Sequence, residues 1–124
     1  MTQIRILIAD DQPEVRAALR LLLGLQHNTA VIGEAAEAKE LAACLEQHSA
    51  DVLLIDWELP GLIILDWLCV IRKLAPHLRI VALSGLPEAR QQALAAGVDT
   101  FISKTDPPDV LLKTLRSLGI DTLQ

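Results

Sequence analysis

Apolar positions along this chain follow two alternating rhythms. Five short aliphatic or β-branched runs, Ile4–Ala9, Ala30–Gly33, Val52–Ile55, Ile80–Leu83 and Thr100–Ile102, begin 26, 22, 28 and 20 residues apart. Each reads as a strand buried on both faces, because polar residues hardly interrupt it. Between the runs the spacing turns helical. Val15, Leu19, Leu22 and Leu23 share one face, as do Leu41 and Leu45; Leu68, Ile71 and Ala75; and Leu111, Leu115 and Leu118. Pro13 and Pro87 suit the first turn of a helix, where a missing N–H costs nothing, and Pro107-Pro108 opens the last helix in the same way. Gly97, after Ala93-Leu94-Ala95-Ala96, suits a C-terminal cap.

Strand and helix alternating five times predict an α/β fold, a doubly wound (βα)5 unit. Its five-stranded parallel sheet would carry five helices on both faces. The segments share no motif, which excludes a solenoid, and no linker divides residues 1–124, so one domain is expected.

Composition sharpens this in three respects. Hydrophobic residues make up 52% of the 124 and aromatics only 2%, so the chain is not disordered and its core must be aliphatic. Eleven Lys and Arg against 16 Asp and Glu leave a formal charge of −5, which argues against binding nucleic acid or an anionic membrane by charge alone. The densest apolar stretch, Leu59 to Ile71, is broken by Pro60, Gly61 and Asp66 and is too short to span a bilayer. Cys44 and Cys69 lie far from any Cys-x-x-Cys spacing and read as reduced core thiols, pointing to the cytoplasm. His27, His48 and His77 have no metal-ligand spacing and read as surface or core residues.

Chemistry in an open parallel sheet collects beyond the carboxyl ends of its strands. The first strand ends in Asp10-Asp11, the third in Asp56, the fourth in Ser84-Gly85 and the fifth in Ser103-Lys104. Alone, each has an ordinary explanation: Asp10-Asp11-Gln12-Pro13 as a helix cap, Asp56 as a strand-terminating turn, Ser84-Gly85 as a loop, Lys104 as a solvated surface lysine. Together they form three carboxylates, a hydroxyl and an ammonium. Clustered carboxylates repel and need a counterion. Oxygen-only ligands suit magnesium, which keeps several waters and bridges to phosphate. Carboxylate, magnesium and lysine stabilise an in-line phosphoryl transfer, with Asp56 as nucleophile and an aspartyl phosphate as product.

These residues resemble the receiver domain of two-component response regulators over essentially the whole chain. The resemblance rests on Ile6-Leu7-Ile8-Ala9-Asp10-Asp11, Asp56-Trp57-Glu58-Leu59-Pro60, Val81-Ala82-Leu83-Ser84-Gly85 and Ala96 through Lys104. It implies a flavodoxin-like topology. It also implies magnesium held by Asp10, Asp11, Asp56 and the backbone carbonyl of Glu58, and a phosphoryl group accepted on Asp56 from a sensor histidine kinase or phosphotransfer protein. Ser84 and Lys104 would contact the phosphoryl oxygens. Ser84 and Phe101 match the family's switch positions, which would drive a change at the fourth-helix, fifth-strand and fifth-helix face; read by itself, Phe101 is equally an ordinary strand residue packed in the core. Homodimer formation on phosphorylation is a further expectation, with no nucleic acid bound by this segment and no output domain in it.

The chain departs from the family pattern in a few places. Ile63-Ile64 replace the usual Asp-Gly after the proline, so Leu62-Ile63-Ile64 either tuck under the third helix or form a contact patch, and Gly61 supplies the lost flexibility. Thr105 follows Lys104 where proline is frequent, so no cis peptide is expected there. Glu58 adds an acid near the metal. Two rival readings share the topology. One is a receiver-like scaffold that binds a partner without phosphorylation. The other is a small enzyme or cofactor binder, against which stands the absence of a Gly-rich loop or an Asp-x-Asp after the first strand.

Overall fold

The computed structural model describes residues 3–61 and 64–118. In chain order its elements are β1 (Ile4–Ala9), α1 (Pro13–Gly24), β2 (Thr29–Ala35), α2 (Ala38–Gln47), β3 (Val52–Asp56), α3 (Ile64–Leu74), β4 (Arg79–Ser84), α4 (Ala89–Ala96), β5 (Thr100–Ser103) and α5 (Pro108–Ser117). The strands form one parallel sheet in the order β2-β1-β3-β4-β5.

Alternation within the strands divides the core in two. Ile4, Ile6 and Ile8 of β1, Val52 and Leu54 of β3, and Val81 and Leu83 of β4 face one side with Leu23 of α1 and Leu111 and Leu115 of α5. Leu7 and Ala9, Leu53 and Ile55, and Ile80 and Ala82 face the other, under Leu41 and Leu45 of α2, Ile71 of α3 and Ala89 and Ala93 of α4. Two helices therefore cover one face and three the other. Each buried Leu or Ile contributes about 1.5–3 kcal/mol over an exposed one, so this double layer holds the sheet.

Helix ends follow the local chemistry. Pro13 opens α1 and Pro108 opens α5, while Gly97 closes α4 at φ +108, a left-handed conformation that favours glycine. Pro87 does not lie in the first turn of α4. The helix starts at Ala89, and Pro87 sits in the preceding turn, its carbonyl accepting from Arg90 N–H at 3.3 Å. Gly61, at φ +81, supplies the bend after Pro60, and the carbonyl of Pro60 accepts from the N–H of Ala38 at 3.0 Å.

Four strands run longer than their apolar runs. The second spans Thr29–Ala35 and not Ala30–Gly33, and Asp56, Ser84 and Ser103 are last residues inside their strands. Backbone pairing is indifferent to side-chain polarity, so Asp56 still pairs with Leu83 and Ser84 with Ser103. Between β1 and β2 the register slips: Ile6 pairs with Val31 but Leu7 with Gly33, leaving Ile32 extra. A Cβ on Gly33 would stand 2.8 Å from Leu7 Cδ2, so a side chain at the bulge would oblige the Leu7 side chain to shift. Cys44 and Cys69 are both unpaired, but only Cys44 packs against the core; Cys69 is exposed on α3 and is not a core thiol. Peptide bonds among the described residues are trans, including the one after Lys104. Of Leu62-Ile63-Ile64, residues 62 and 63 and the side chain of Ile64 lie outside the described residues, and with them the choice between a tucked and an exposed loop.

Candidate functional site

The sheet order reverses between β1 and β3, and the residues that leave these strands meet there. Asp10 follows β1 directly and is fully buried. Its N–H donates to the carbonyl of Ala35 at 2.9 Å, and its Oδ1 accepts from Gln12 N–H at 2.9 Å, an Asx-type turn that directs the chain into α1. Asp56 Oδ1 accepts from Glu58 N–H at 2.9 Å in the same manner. Asp10, Asp11 and Asp56 each present an oxygen within 4.8 Å of the others.

Lys104 enters from β5. Its N–H donates to the carbonyl of Ser84 at 2.9 Å, which fixes the stem. Its ammonium stands 2.8 Å from Asp10 Oδ2 and 3.5 Å from Asp56 Oδ2, and donates to Gln12 Oε1 at 3.3 Å. The contact with Asp10 is an ion pair only: Oδ2 of Asp10 is buried without a well-aligned hydrogen-bond donor. One cation thus pairs with two of the three clustered carboxylates.

The electrostatics reflect that imbalance. Burial, more than any other cause, pushes the Asp56 carboxyl from 3.8 up to about 6. The Glu58 N–H opposes this, Asp10 adds to it, Lys104 opposes it and the Glu58 charge adds to it. For Lys104, burial works against the charged form, but the contacts with Asp10 and Asp56 outweigh it and hold its pKa above the ordinary value. A hard divalent cation fits this set. The donors are oxygens, one buried carboxylate oxygen lacks a hydrogen bond, and Asp56 needs positive charge to stay fully ionised.

Ser84, also fully buried, does not face open space. Its hydroxyl donates to the Glu58 carboxylate, 2.9 Å from both Oε1 and Oε2, and accepts from Leu86 N–H at 3.0 Å. Phe101 lies under α4 with Ala89, Ala93 and Val98, and the Arg90 guanidinium is 5.9 Å from its ring centre. Trp57 is buried in the same cluster, one residue from Asp56.

Of the residues anticipated at the strand ends, Asp10, Asp11, Asp56 and Lys104 converge, while the Ser84 hydroxyl turns to Glu58 and that of Ser103 to Thr105; two further residues escape a reading by strand ends. Glu58 acts through its side chain on Ser84. Arg16, in the first turns of α1, donates from Nη1 to the carbonyl of Asp10 at 2.6 Å while its Nε pairs with Glu34 at 3.2 Å. Arg20 also pairs with Glu34, so a β2 acid and two α1 arginines pin the loop that carries Asp10 and Asp11. A basic residue in the turn after an acidic strand end is the signal for Arg16. Beside Lys104, a groove of about 340 Å³ opens between α1 and α5, lined mainly by apolar groups including Val15, Leu19, Ile102 and Leu111. It is separate in character from the acidic cluster.

Comparison with known proteins shows what the chain as a whole resembles. Residues 6–116 match the family described as the response regulator receiver domain. The chain is 30% identical over 120 residues to a probable transcriptional regulatory protein, SgaR, of Hyphomicrobium methylovorum, covering 95% of this chain and 57% of that protein. It is 29% identical to the nitrate/nitrite response regulator NarP of Escherichia coli, covering 94% and 55%. The isolated receiver domain of RcsB from Salmonella enterica serovar Typhimurium, solved with the phosphomimetic BeF3⁻, superposes with a TM-score of 0.84 at 26% identity, covering 94% of this chain and 88% of that one. The chain spans about half the length of the curated relatives it matches.

Proposed function

The chain belongs to the response regulator receiver family of two-component signalling, and on that premise we propose that Asp56 is its phosphoacceptor. The observation that carries this reading is the meeting of Asp10, Asp11 and Asp56 within 4.8 Å, with the Lys104 ammonium 3.5 Å from Asp56 Oδ2. An ionised Asp56 oxygen attacks the phosphorus of a phosphohistidine on a sensor kinase or phosphotransfer protein. The O–P bond forms as the N–P bond breaks, and the imidazole nitrogen keeps the electron pair and takes a proton. Lys104 meets the anionic phosphoryl oxygens, and Ser84 donates its hydroxyl to one of them. Asp10, Asp11, Asp56 and the Glu58 carbonyl would hold magnesium, which supplies charge neutralisation at the transferring group. Water attacking the same phosphorus returns the carboxylate, so the domain assists both halves of its own cycle.

The proposed partner is the kinase or phosphotransfer protein; a formal charge of −5 gives this segment no attraction of its own for a phosphate backbone. Among the described residues no helix is long and apolar enough to cross a membrane. Partnership with a kinase and two unpaired thiols support a place in the cytoplasm.

Trp57 provides the test once Trp67 is replaced by Phe. Magnesium, then beryllofluoride, is titrated while Trp57 emission is followed, with acetyl phosphate labelling read by intact mass. A saturable magnesium-dependent response and one added phosphoryl group, both lost in Asp56→Asn, are expected. A folded sample with neither response would leave the receiver-like scaffold as the better reading.

A further inference from the structure

A serine hydroxyl has one proton to give, and that of Ser84 is already given. It points between the two oxygens of Glu58, 2.9 Å from each, while its lone pair takes the N–H of Leu86. The acceptor is anionic and is carried on the chain just beyond Asp56. A phosphoryl group on Asp56 would offer Ser84 the same kind of partner: a negatively charged oxygen reaching from the end of β3.

The aromatic position fits the same state. Phe101 pairs with Ala82 in register, two residues before Ser84 on the same face of β4, and the residue is buried, at 7% exposure. Ala89 and Ala93 leave room for it, and Arg90 stands over it. A bound hydroxyl at 84 and an inserted ring at 101 are what a new anion at Asp56 would be expected to produce. Glu58 supplies such an anion from within the chain, at the same hydroxyl.

We propose that the Glu58 carboxylate is an internal stand-in for the phosphoryl group, engaging Ser84 and holding the Phe101 ring inserted before phosphorylation. Phosphorylation then exchanges one anionic acceptor for another, helped by repulsion between the phosphoryl group and Glu58. Glu58 is a positioning residue that sets how far the switch is thrown at rest. This inference depends on Asp56 being the phosphoacceptor, and its test separates the two.

Phe101 is the single phenylalanine of the chain, so incorporation of 4-fluorophenylalanine yields one fluorine resonance that reports this ring alone. Spectra of the full chain are compared for wild type, Glu58→Gln, Glu58→Ala and Ser84→Ala, each with magnesium and then with beryllofluoride. In wild type the resonance should lie near its beryllofluoride-bound position from the start. In Glu58→Ala it should move away before beryllofluoride and return on addition, so that the beryllofluoride-induced change grows at least about twofold over wild type. Glu58→Gln, whose amide oxygen still accepts, should lie between. In a Ser84→Ala background, Glu58→Ala should have no further effect. Glu58 is exposed, so its replacement should leave the fold intact, which a thermal melt checks. A resonance in the ligand-free protein that is the same in wild type and Glu58→Ala overturns the inference, whatever beryllofluoride does. Absence of a magnesium-dependent Trp57 response in the Trp67→Phe protein, measured separately, instead overturns the assignment of Asp56.

Discussion

A carboxyl held at about 6 in the fold but near 3.8 in a free chain makes Asp56 a source of pH-dependent instability. Between those values the folded chain keeps a proton that the unfolded chain releases. Stability therefore falls as pH rises from about 4 through about 6, and the whole penalty applies above that range. In metal-free buffer at pH 7.5, Asp56→Asn should melt a few degrees above wild type. The gap should shrink at pH 4.5, and excess magnesium should reverse the order. Melting curves at both pH values, with and without magnesium, check this; a gap independent of pH would rule out burial as the dominant cause. Lys104 competes with the metal for the same oxygens. Lys104→Ala should lower metal-free stability and tighten magnesium binding by roughly fivefold, or about 1 kcal/mol, measured by Trp57 emission. At this scale the strand-end acids and Lys104 were legible because a strand end fixes where the next residue emerges. The acceptor of Ser84 was not, since it depends on the rotamer of a long glutamate side chain that no periodicity encodes.

Among the elements, α3, α4 and the start of β4 are tied by one side chain. Arg72 donates to the carbonyl of Leu78, to the carbonyl of Gly97 at 3.3 Å and to Asp99 at 3.0 Å, while Asp99 accepts from Ile80 N–H at 2.7 Å. Gly97 is the weak point of this cluster because its φ of +108 admits almost no side chain. Gly97→Ala should cost about 1–2 kcal/mol, seen as a lower urea midpoint with an unchanged slope. The cap was readable from a glycine after an alanine-rich helix. The start of α4 was not, because proline fits a turn before a helix as well as the helix's own first residue. The strand ends were underestimated for a related reason: Asp56 and Ser84 look like loop residues, yet their backbones complete the ladder.

Across the whole molecule, the reversal of strand order between β1 and β3 decides where acids from distant stretches meet. That architecture followed from two periodicities and five repeats of them, because burial on both faces leaves a parallel sheet few other patterns. A cation bound there should stabilise the entire domain. At a hundred times its dissociation constant, magnesium should add about 2.7 kcal/mol, read as a higher melting temperature that Asp10→Asn reduces. Among the described residues the sheet has two unpaired edges, those of β2 and β5. An open edge is a template on which a second chain can add a strand, the first step toward insoluble fibres. Here β5 offers only four residues, and β2 is kinked at the surplus Ile32, so neither presents a long straight row of free N–H and C=O groups. The slip that brings Gly33 against Leu7 therefore also makes β2 a poorer template for strand addition.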